Sequence, residues 1–299
     1  MTRLTHTDIA GISPALTRHD NRLRAATGKG LLGIAAHAWG VEEDRAAKAL
    51  SRMRTQVIPV TAGQGVITDF SATVAEILTF IGVPATVGDR PDVQGLTQAL
   101  GRRAHAVFMA DDVQFAGLHL AGQRVADNTF NTGKIYAAAL DLMTNGIKDH
   151  PVLIMGCGPV GESAAFELMA RGARLALYDI QPARTHALAQ KLMEAGAASL
   201  ILADHLETIL PQAPHVVEAT PSAHTLPLKL ARQIKAAVAP GVPQGAPPES
   251  RKQLGRAWLH DKLELGVAAM AVELIQDQIH PHHAAADLVS TADTQGETQ

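Results

Sequence analysis

A glycine-rich segment in the second half of the chain has the residues and spacing of a dinucleotide-binding turn. Residues 156–161 read GCGPVG, so Gly156, Gly158 and Gly161 fit the pattern G-x-G-x-x-G. The apolar run PVLIM precedes the segment, and a helical pattern from Pro159 to Ala170 follows it. In such a unit the glycines allow a tight turn, close approach of a pyrophosphate and packing of helix on strand. The segment therefore predicts a nucleotide site at a helix N-terminus, where amide groups and the helix dipole favour negative charge.

An acidic residue follows the next strand at the distance typical of a ribose-binding carboxylate. The run ARLALYD ends at Asp179, which lies 18 residues after Gly161. A carboxylate there would repel the 2′-phosphate of NADP, so NAD is the predicted cofactor. The predicted loop contacts to NAD are Gly156, Cys157, Gly158, Pro159, Val160 and Gly161. Two other interpretations stay open here: an S-adenosylmethionine site of a methyltransferase, and a glycine-rich turn beside a surface aspartate.

Further cofactor contacts are predicted where the strand HVVEAT ends. In a doubly wound sheet ligands bind at the carboxyl ends of the strands, which places Thr220 and Pro221 near the nicotinamide half. The alternative for each is an ordinary residue of a strand-to-loop turn. Cys157, the only cysteine, is interpreted as a small loop residue and not as a nucleophile, because no partner base lies near it in the sequence.

The order of elements that must position these residues indicates an α/β fold in two parts. From Pro151 onward strands and helices alternate regularly, which is typical of a doubly wound parallel sheet. Before about Asn145, helical patterns mix with apolar runs such as QVIPV and HAVFMA. We predict a mixed α/β substrate-binding domain followed by a Rossmann-type NAD domain with a closing C-terminal helix from about Gly266 to Ile279. The predicted bounds are 1–147 for the first domain, 148–283 for the second and 284–299 for a disordered tail.

Composition excludes several classes of protein. The 299 residues include 26 basic and 29 acidic side chains and only 3% aromatics, which argues against a nucleic-acid partner. One cysteine excludes an internal disulfide and a multi-cysteine metal site, and we expect no bound metal. We interpret the HPHH run at 280–283 as part of a biased tail. No apolar run has the length of a bilayer span, so we expect a cytoplasmic protein without a membrane partner.

Seven segments of the chain together carry a family resemblance: GCGPVG (156–161), VIPVTAGQGVITDFS (57–71), GDRPDVQG (88–95), FMADD (108–112), DNTFNTGKIYAA (127–138), EATPSAHTLP (218–227) and PGVP (240–243). They resemble the PylD family of pyrrolysine-biosynthesis dehydrogenases. The similarity extends over roughly residues 1–275, and its motifs in the first half are specific. It departs from the family at FNTG, which replaces a segment containing Pro-Cys, and at ELGVAAM, which matches the family's C-terminal region only loosely.

The resemblance implies an oxidative deamination. In that reaction NAD+ accepts a hydride from the carbon that bears the terminal amine of L-lysine-Nε-3-methyl-D-ornithine. Hydrolysis of the resulting imine gives a semialdehyde and ammonia, and cyclisation with loss of water gives pyrrolysine. The expected partner is thus a small-molecule substrate, and a homodimer is left open. Two alternatives also stay open: another NAD-dependent amino-acid or imine oxidoreductase, and a non-catalytic NAD-binding sensor.

The resemblance also implies which residues bind the substrate. Asp111 matches the family's substrate-binding aspartate, with Asp112 as the fallback, although two acids after a buried strand can also cap a turn. Asn128 aligns with a position near the substrate and the nicotinamide, and its alternative is a helix cap. Helical spacing predicts a helix from Gly133 to Leu142, and Thr132 or Gly133, where this helix opens, would face the cofactor.

Three further residues are implied to line or cover the pocket. Thr61 and Phe70 flank the VTAGQG segment, and Leu4 belongs to the N-terminal helix that the family uses as a mobile cover. Phe70 and Leu4 are equally compatible with plain core positions. The sequence identifies no general base, and the histidines near the candidate loops are interpreted as surface or structural residues. They are His119, His150 and His224.

Overall fold

The chain folds around two β-sheets. The computed structural model describes residues 4–279, so the HPHH run at 280–283 and the tail at 284–299 lie outside the described residues. The strands are β1 (Thr55–Ile58), β2 (Ala85–Val87), β3 (Ala106–Ala110), β4 (Phe115–His119), β5 (Arg124–Asp127), β6 (Pro151–Met155), β7 (Arg174–Tyr178), β8 (Leu200–Leu202), β9 (His215–Glu218), β10 (Ala236–Val238) and β11 (Trp258–Leu259). The first sheet has the order β2-β1-β3-β4-β5, and the second has the order β11-β10-β9-β6-β7-β8.

Helices cover both sheets. They are α1 (His6–Ile9), α2 (Leu16–Thr27), α3 (Leu31–Ala38), α4 (Glu43–Leu50), α5 (Phe70–Phe80), α6 (Asp92–Gly101), α7 (Asn128–Met143), α8 (Pro159–Ala170), α9 (Pro182–Glu194), α10 (Leu206–Ile209), α11 (Leu228–Ala231), α12 (Pro248–Leu254), α13 (Glu264–Leu274) and α14 (Gln276–Ile279). Within residues 4–279, none of them has both the length and the apolar character that a bilayer crossing requires.

The second sheet confirms the predicted Rossmann-type architecture. Its six strands are all parallel, and the strand order reverses between β6 and β9. The carboxyl ends of parallel strands share one edge, and the crevice at such a reversal is where ligands bind in this architecture. The strand β6 and the helices α8 and α9 have the bounds that the sequence pattern predicted.

The first sheet contains a hairpin that the sequence pattern did not predict. Strands β1, β2 and β3 are parallel, whereas β4 and β5 run antiparallel beside β3. Helix α7 then begins at Asn128, directly after β5, instead of at Gly133 as predicted. The early start is explained by Asp127, whose side-chain oxygen accepts the Phe130 N–H at 2.9 Å and so caps the helix.

The C-terminal helix returns to the first part of the chain. The predicted single helix from Gly266 to Ile279 is two helices, α13 and α14, with the break at Ile275. Ten of the eleven residues of α13 are buried, and the helix packs against α3, α5 and α7. The chain therefore passes from one sheet with its helices to the other twice: once between Met143 and Pro151, and once before α13. The boundary between residues 147 and 148 stays a prediction.

Candidate active site

Each glycine of the GCGPVG segment has its own structural reason. Gly156 has a positive φ of 91°, and a Cβ there would lie 2.7 Å from the carbonyl oxygen of Ala219. A Cβ on Gly161 would collide with the Gly156 carbonyl, so the first turn of α8 can sit on the strand end only with glycine there. A Cβ on Gly158 would meet nothing within 4 Å. The loop is thus tight on its inner side and open at its second glycine.

The predicted ribose-binding acid lies beside this loop. Asp179 follows β7, and its Oδ2 accepts the N–H of Cys157 at 2.8 Å while its Oδ1 accepts the N–H of Gln181 at 2.9 Å. Burial raises the pKa of the Cys157 thiol to about 11, so the thiol stays protonated near neutral pH and is a poor nucleophile. Ile180, which the sequence analysis did not single out, stands 86% exposed next to the acid.

The end of β9 meets the same loop. A methyl group of Thr220 lies near Gly156, since a Cβ built on that glycine would be 3.2 Å from it. Thr220 itself is tied to Glu218, which is fully buried and accepts hydrogen bonds from Thr220, Thr225 and the Gly245 N–H. Burial raises the pKa of Glu218, while these hydrogen bonds oppose the rise. Pro221, the other predicted contact, follows on the exposed side of the turn.

The start of α7 meets the start of α13. A Cβ on Gly266 would lie 2.6 Å from Oδ1 of Asn128 and 3.0 Å from Oγ1 of Thr132, so these two predicted residues face the same glycine. Gly133 points elsewhere: a Cβ there would lie 2.5 Å from Cβ of Ser163 on α8. The structure thus separates two residues that the sequence analysis treated alike. Thr132 lies toward α13, and Gly133 lies in the contact of α7 with α8.

The acid pair after β3 divides into two roles. Asp111 is exposed, and its Oδ1 accepts the N–H groups of Gln114 and Val113, both at 2.8 Å. These backbone hydrogen bonds hold the pKa of Asp111 below its ordinary value, so the carboxylate stays ionised. Asp112 instead accepts the Gln64 N–H at 2.7 Å and holds the VTAGQG loop against β3.

The remaining predicted pocket residues do not all converge on Asp111. Phe70 and Asp111 line one small cavity beneath the VTAGQG loop, and the Phe70 ring packs on Phe115 with 5.3 Å between centroids. Thr61 donates both its hydroxyl and its N–H to Asp92 and so fastens the loop to α6. Leu4 precedes α1 and packs half-buried against the core.

Comparison with known proteins points to one family. The family model for "Pyrrolysine biosynthesis protein PylD, N-terminal domain" matches residues 8–126. Pyrrolysine synthase from Methanosarcina barkeri is 28% identical over 276 residues, which is 92% of this chain and 98% of that protein. Pyrrolysine synthase from Methanosarcina acetivorans is 29% identical over 280 residues, or 92% of this chain and 100% of that protein. The resemblance to the PylD family is confirmed.

Solved structures support the fold of this chain. Quinate dehydrogenase from Corynebacterium glutamicum in complex with NAD has a TM-score of 0.50 at 18% identity, covering 74% of this chain and 92% of that one. The ligand-free 5-ketofructose reductase of Gluconobacter sp. strain CHM43 also has a TM-score of 0.50, at 14% identity, covering 75% and 92% of the two chains. At these identities the likeness establishes the shared architecture alone.

Sequence reasoning missed residues that meet only in three dimensions. Gly266 carries no signal beyond a loose family match, yet it packs between Asn128 and Thr132. His19 and Asp261 are 242 residues apart and contact each other at 3.2 Å. Of the histidines considered, His150 stacks at 5.0 Å on His215, which opens β9 at the edge of the sheet opposite the glycine loop. No local pattern could have found the long-range pair.

Proposed function

We propose that this PylD relative is an NAD-dependent amine dehydrogenase that completes pyrrolysine biosynthesis. The carbon bearing the terminal amine of L-lysine-Nε-3-methyl-D-ornithine gives up a hydride, and water then hydrolyses the imine to a semialdehyde and ammonia. The aldehyde condenses with the α-amine of the methylornithine unit and loses water, which closes the pyrroline ring. The observation that carries the proposal is similarity to two pyrrolysine synthases over 92% of the chain.

The loop residues fit a dinucleotide. NAD+, when bound, supplies the hydride acceptor. The residues proposed to hold it are the loop Gly156–Gly161, with its open position at Gly158, the half-buried Asp179 beside the loop, and Thr220 at the end of β9. The first turn of α8 presents backbone N–H groups and the positive end of the helix dipole, which suits a pyrophosphate.

The chain's carboxylates are proposed to hold a cationic substrate. Amines with ordinary pKa values near 10.4 are ammonium groups at neutral pH, and an ammonium must lose a proton before it can release hydride. Asp111 stays ionised and is exposed at the end of β3, so it offers an ammonium an anchor. The amide of Asn128, next to Thr132 and Gly266, offers a second polar contact near the cofactor loop.

A direct assay tests the proposal. Purified protein with NAD+ and L-lysine-Nε-3-methyl-D-ornithine should give NADH absorbance and a product with the mass of pyrrolysine. Asp111→Asn keeps an oxygen that can accept the turn's N–H groups but removes the charge, so we expect slower turnover with unchanged NAD+ affinity. Asp44→Asn, on the exposed face of α4, is the matched control.

The outcomes separate the alternatives. NADH formation from ornithine or other simple amino acids, and none from the proposed substrate, would indicate a different amine or imine oxidoreductase. Binding of NAD+ without any turnover would indicate a sensor. The cytoplasmic location and the domain division at residues 147 and 148 also belong to this proposal, and a homodimer stays open.

A further inference from the structure

A large cleft lies outside the predicted pocket. Its volume is about 1100 Å³, and it separates α2 from the segment that ends in β11. Because β11 belongs to the parallel sheet, the residues that follow it, His260 and Asp261, lie on the same edge of that sheet as the glycine loop. The cleft therefore opens at the sheet edge that carries the glycine loop, on the β11 side of the sheet, with β10 and β9 between β11 and β6.

The walls of the cleft are cationic. Arg18 and Arg22, one turn apart on α2, face Arg251 and Arg256 across the opening. Within residues 4–279, none of these four guanidinium groups makes an ion pair with a carboxylate. Like charges at i and i+4 destabilise a helix, so this arrangement has a cost that a bound anionic group would remove.

The floor of the cleft is acidic and buried. His19, Asp261 and Glu264 are each no more than 6% exposed, and their nearest ligand atoms lie within 4.8 Å of one another. Nε2 of His19 contacts Asp261, and Nδ1 lies 3.1 Å from the guanidinium of Arg22. The Tyr136 hydroxyl donates to the carbonyl oxygen of Asp261 at 2.9 Å. Burial, and then the charge of Asp261, raise the pKa of Glu264.

The charge pattern discriminates between ligand classes. A divalent cation on the three floor residues would lie next to the cationic Arg22. Because a guanidinium can only donate, Nδ1 of His19 accepts from Arg22, so Nε2 carries the ring proton and has no lone pair for a metal. A simple anion would lie above the buried carboxylates of Asp261 and Glu264. A group that carries a carboxylate and an ammonium on one carbon satisfies both surfaces at once.

We propose that this cleft binds the α-amino-acid end of a ligand, with its carboxylate on the arginine walls and its ammonium on the carboxylates of Asp261 and Glu264. The inference rests on the proposed function in one respect, because that substrate ends in the α-amino-acid group of lysine. The floor also adjoins the predicted reaction site: Glu264 is two residues before Gly266, and Tyr136 is one helical turn after Thr132. A long substrate can thus extend from the cleft to the cofactor loop.

Free L-lysine is the probe, and isothermal titration calorimetry on the full chain is the assay. We expect millimolar binding of L-lysine and at least about tenfold weaker binding of its methyl ester, which lacks the carboxylate, and of 6-aminohexanoate, which lacks the α-ammonium. Arg22→Ala and Glu264→Gln should each weaken L-lysine binding at least about tenfold. Arg52→Ala, on an exposed residue outside the cleft, should bind L-lysine like the parent chain.

Thermal melts of each variant establish that it is folded. If Glu264→Gln unfolds, Arg18→Ala, at an exposed position of the cleft wall, is the second binding variant. Equal binding of L-lysine and its methyl ester, or unchanged binding in Arg22→Ala and Arg18→Ala, would overturn the inference. Inorganic phosphate or Zn²⁺ binding in the cleft without L-lysine binding would overturn it as well. Lysine binding without NADH formation from the full substrate would refute the proposed function and leave this inference standing.

Discussion

Gly133 offers a test of how α7 and α8 pack. A Cβ on this residue would lie 2.5 Å from Cβ of Ser163 and 2.8 Å from the backbone nitrogen of Ala164, and it would also meet the carbonyl of Val160. Ordinary contact begins at 3.4 Å, and the Val160 carbonyl oxygen is the nearest atom, so Gly133→Ala requires the two helices to separate by roughly 1 Å. Two of the opposing atoms belong to the backbone of α8 and cannot rotate away.

The expected change in stability is a difference of two effects. Overpacking of this kind costs about 1–3 kcal/mol or more. Replacing glycine by alanine inside a helix returns about 1 kcal/mol through helix propensity. With backbone atoms in the contact we place the cost at the upper end, which leaves a net loss of about 2 kcal/mol in the free energy of unfolding. That corresponds to a decrease in Tm of about 4–8 °C.

Urea denaturation and thermal melts of Gly133→Ala measure this loss. The matched control is Gly101→Ala, because Gly101 lies at the end of α6 with nothing within 4 Å of a built Cβ. We expect the control to be as stable as the parent chain or slightly more stable. A Gly133→Ala protein with unchanged stability but weaker NAD+ binding would refute the packing argument and support the direct cofactor contact predicted from the sequence.

Three other substitutions probe the loop and a buried ion network. Cys157→Ala should leave turnover intact, and the folded parent chain should resist iodoacetamide at pH 7, because the pKa of the thiol is about 11; mass spectrometry measures the labelling. Gly161→Ala should abolish NAD+ binding by calorimetry, since its Cβ would collide with the Gly156 carbonyl. Burial raises the pKa of Asp141, but His37 and Arg171 lower it, and overall the pKa in the folded chain lies below 3.8. The ionised carboxylate therefore stabilises the fold above pH 3.8, and this stabilisation is lost as the pH falls through the pKa of the folded state. Asp141→Asn should therefore cost up to about 3 kcal/mol at pH 7 in urea titrations and flatten the acid limb of the Tm profile, and an unaltered limb would contradict this.

Local patterns predicted the second sheet well because each element there is specified by its own residues. The run PVLIM is continuously apolar, as a strand buried on both faces must be, and Pro159 and Pro182 mark the first turns of α8 and α9. The glycine loop and Asp179 lie together as their spacing predicted. These features depend on short stretches of chain and on the fixed geometry of a β–α unit.

The first sheet and the site around α13 depend on contacts that no short window contains. The hairpin of β4 and β5 is too short and too mixed in polarity for a clear alternation, so it went unpredicted. The early start of α7 follows from a cap at Asp127 among residues of modest helix propensity. Gly266 and Asn128 are separated in the sequence by the whole second sheet, so their approach follows only from the path of the whole chain.

The packing of α13 against helices from the first part of the chain has a consequence for synthesis on the ribosome. Ten of its eleven residues are buried, and it packs against α3, α5 and α7. Those three helices are complete once residue 143 has emerged, but their partner is not made until residues 264–274. The first sheet and its helices therefore emerge with the surface that α13 covers still exposed, until the whole second sheet has been translated. A truncated chain that ends before α13 should bind chaperones or aggregate, and adding the missing helix as a separate peptide should rescue it.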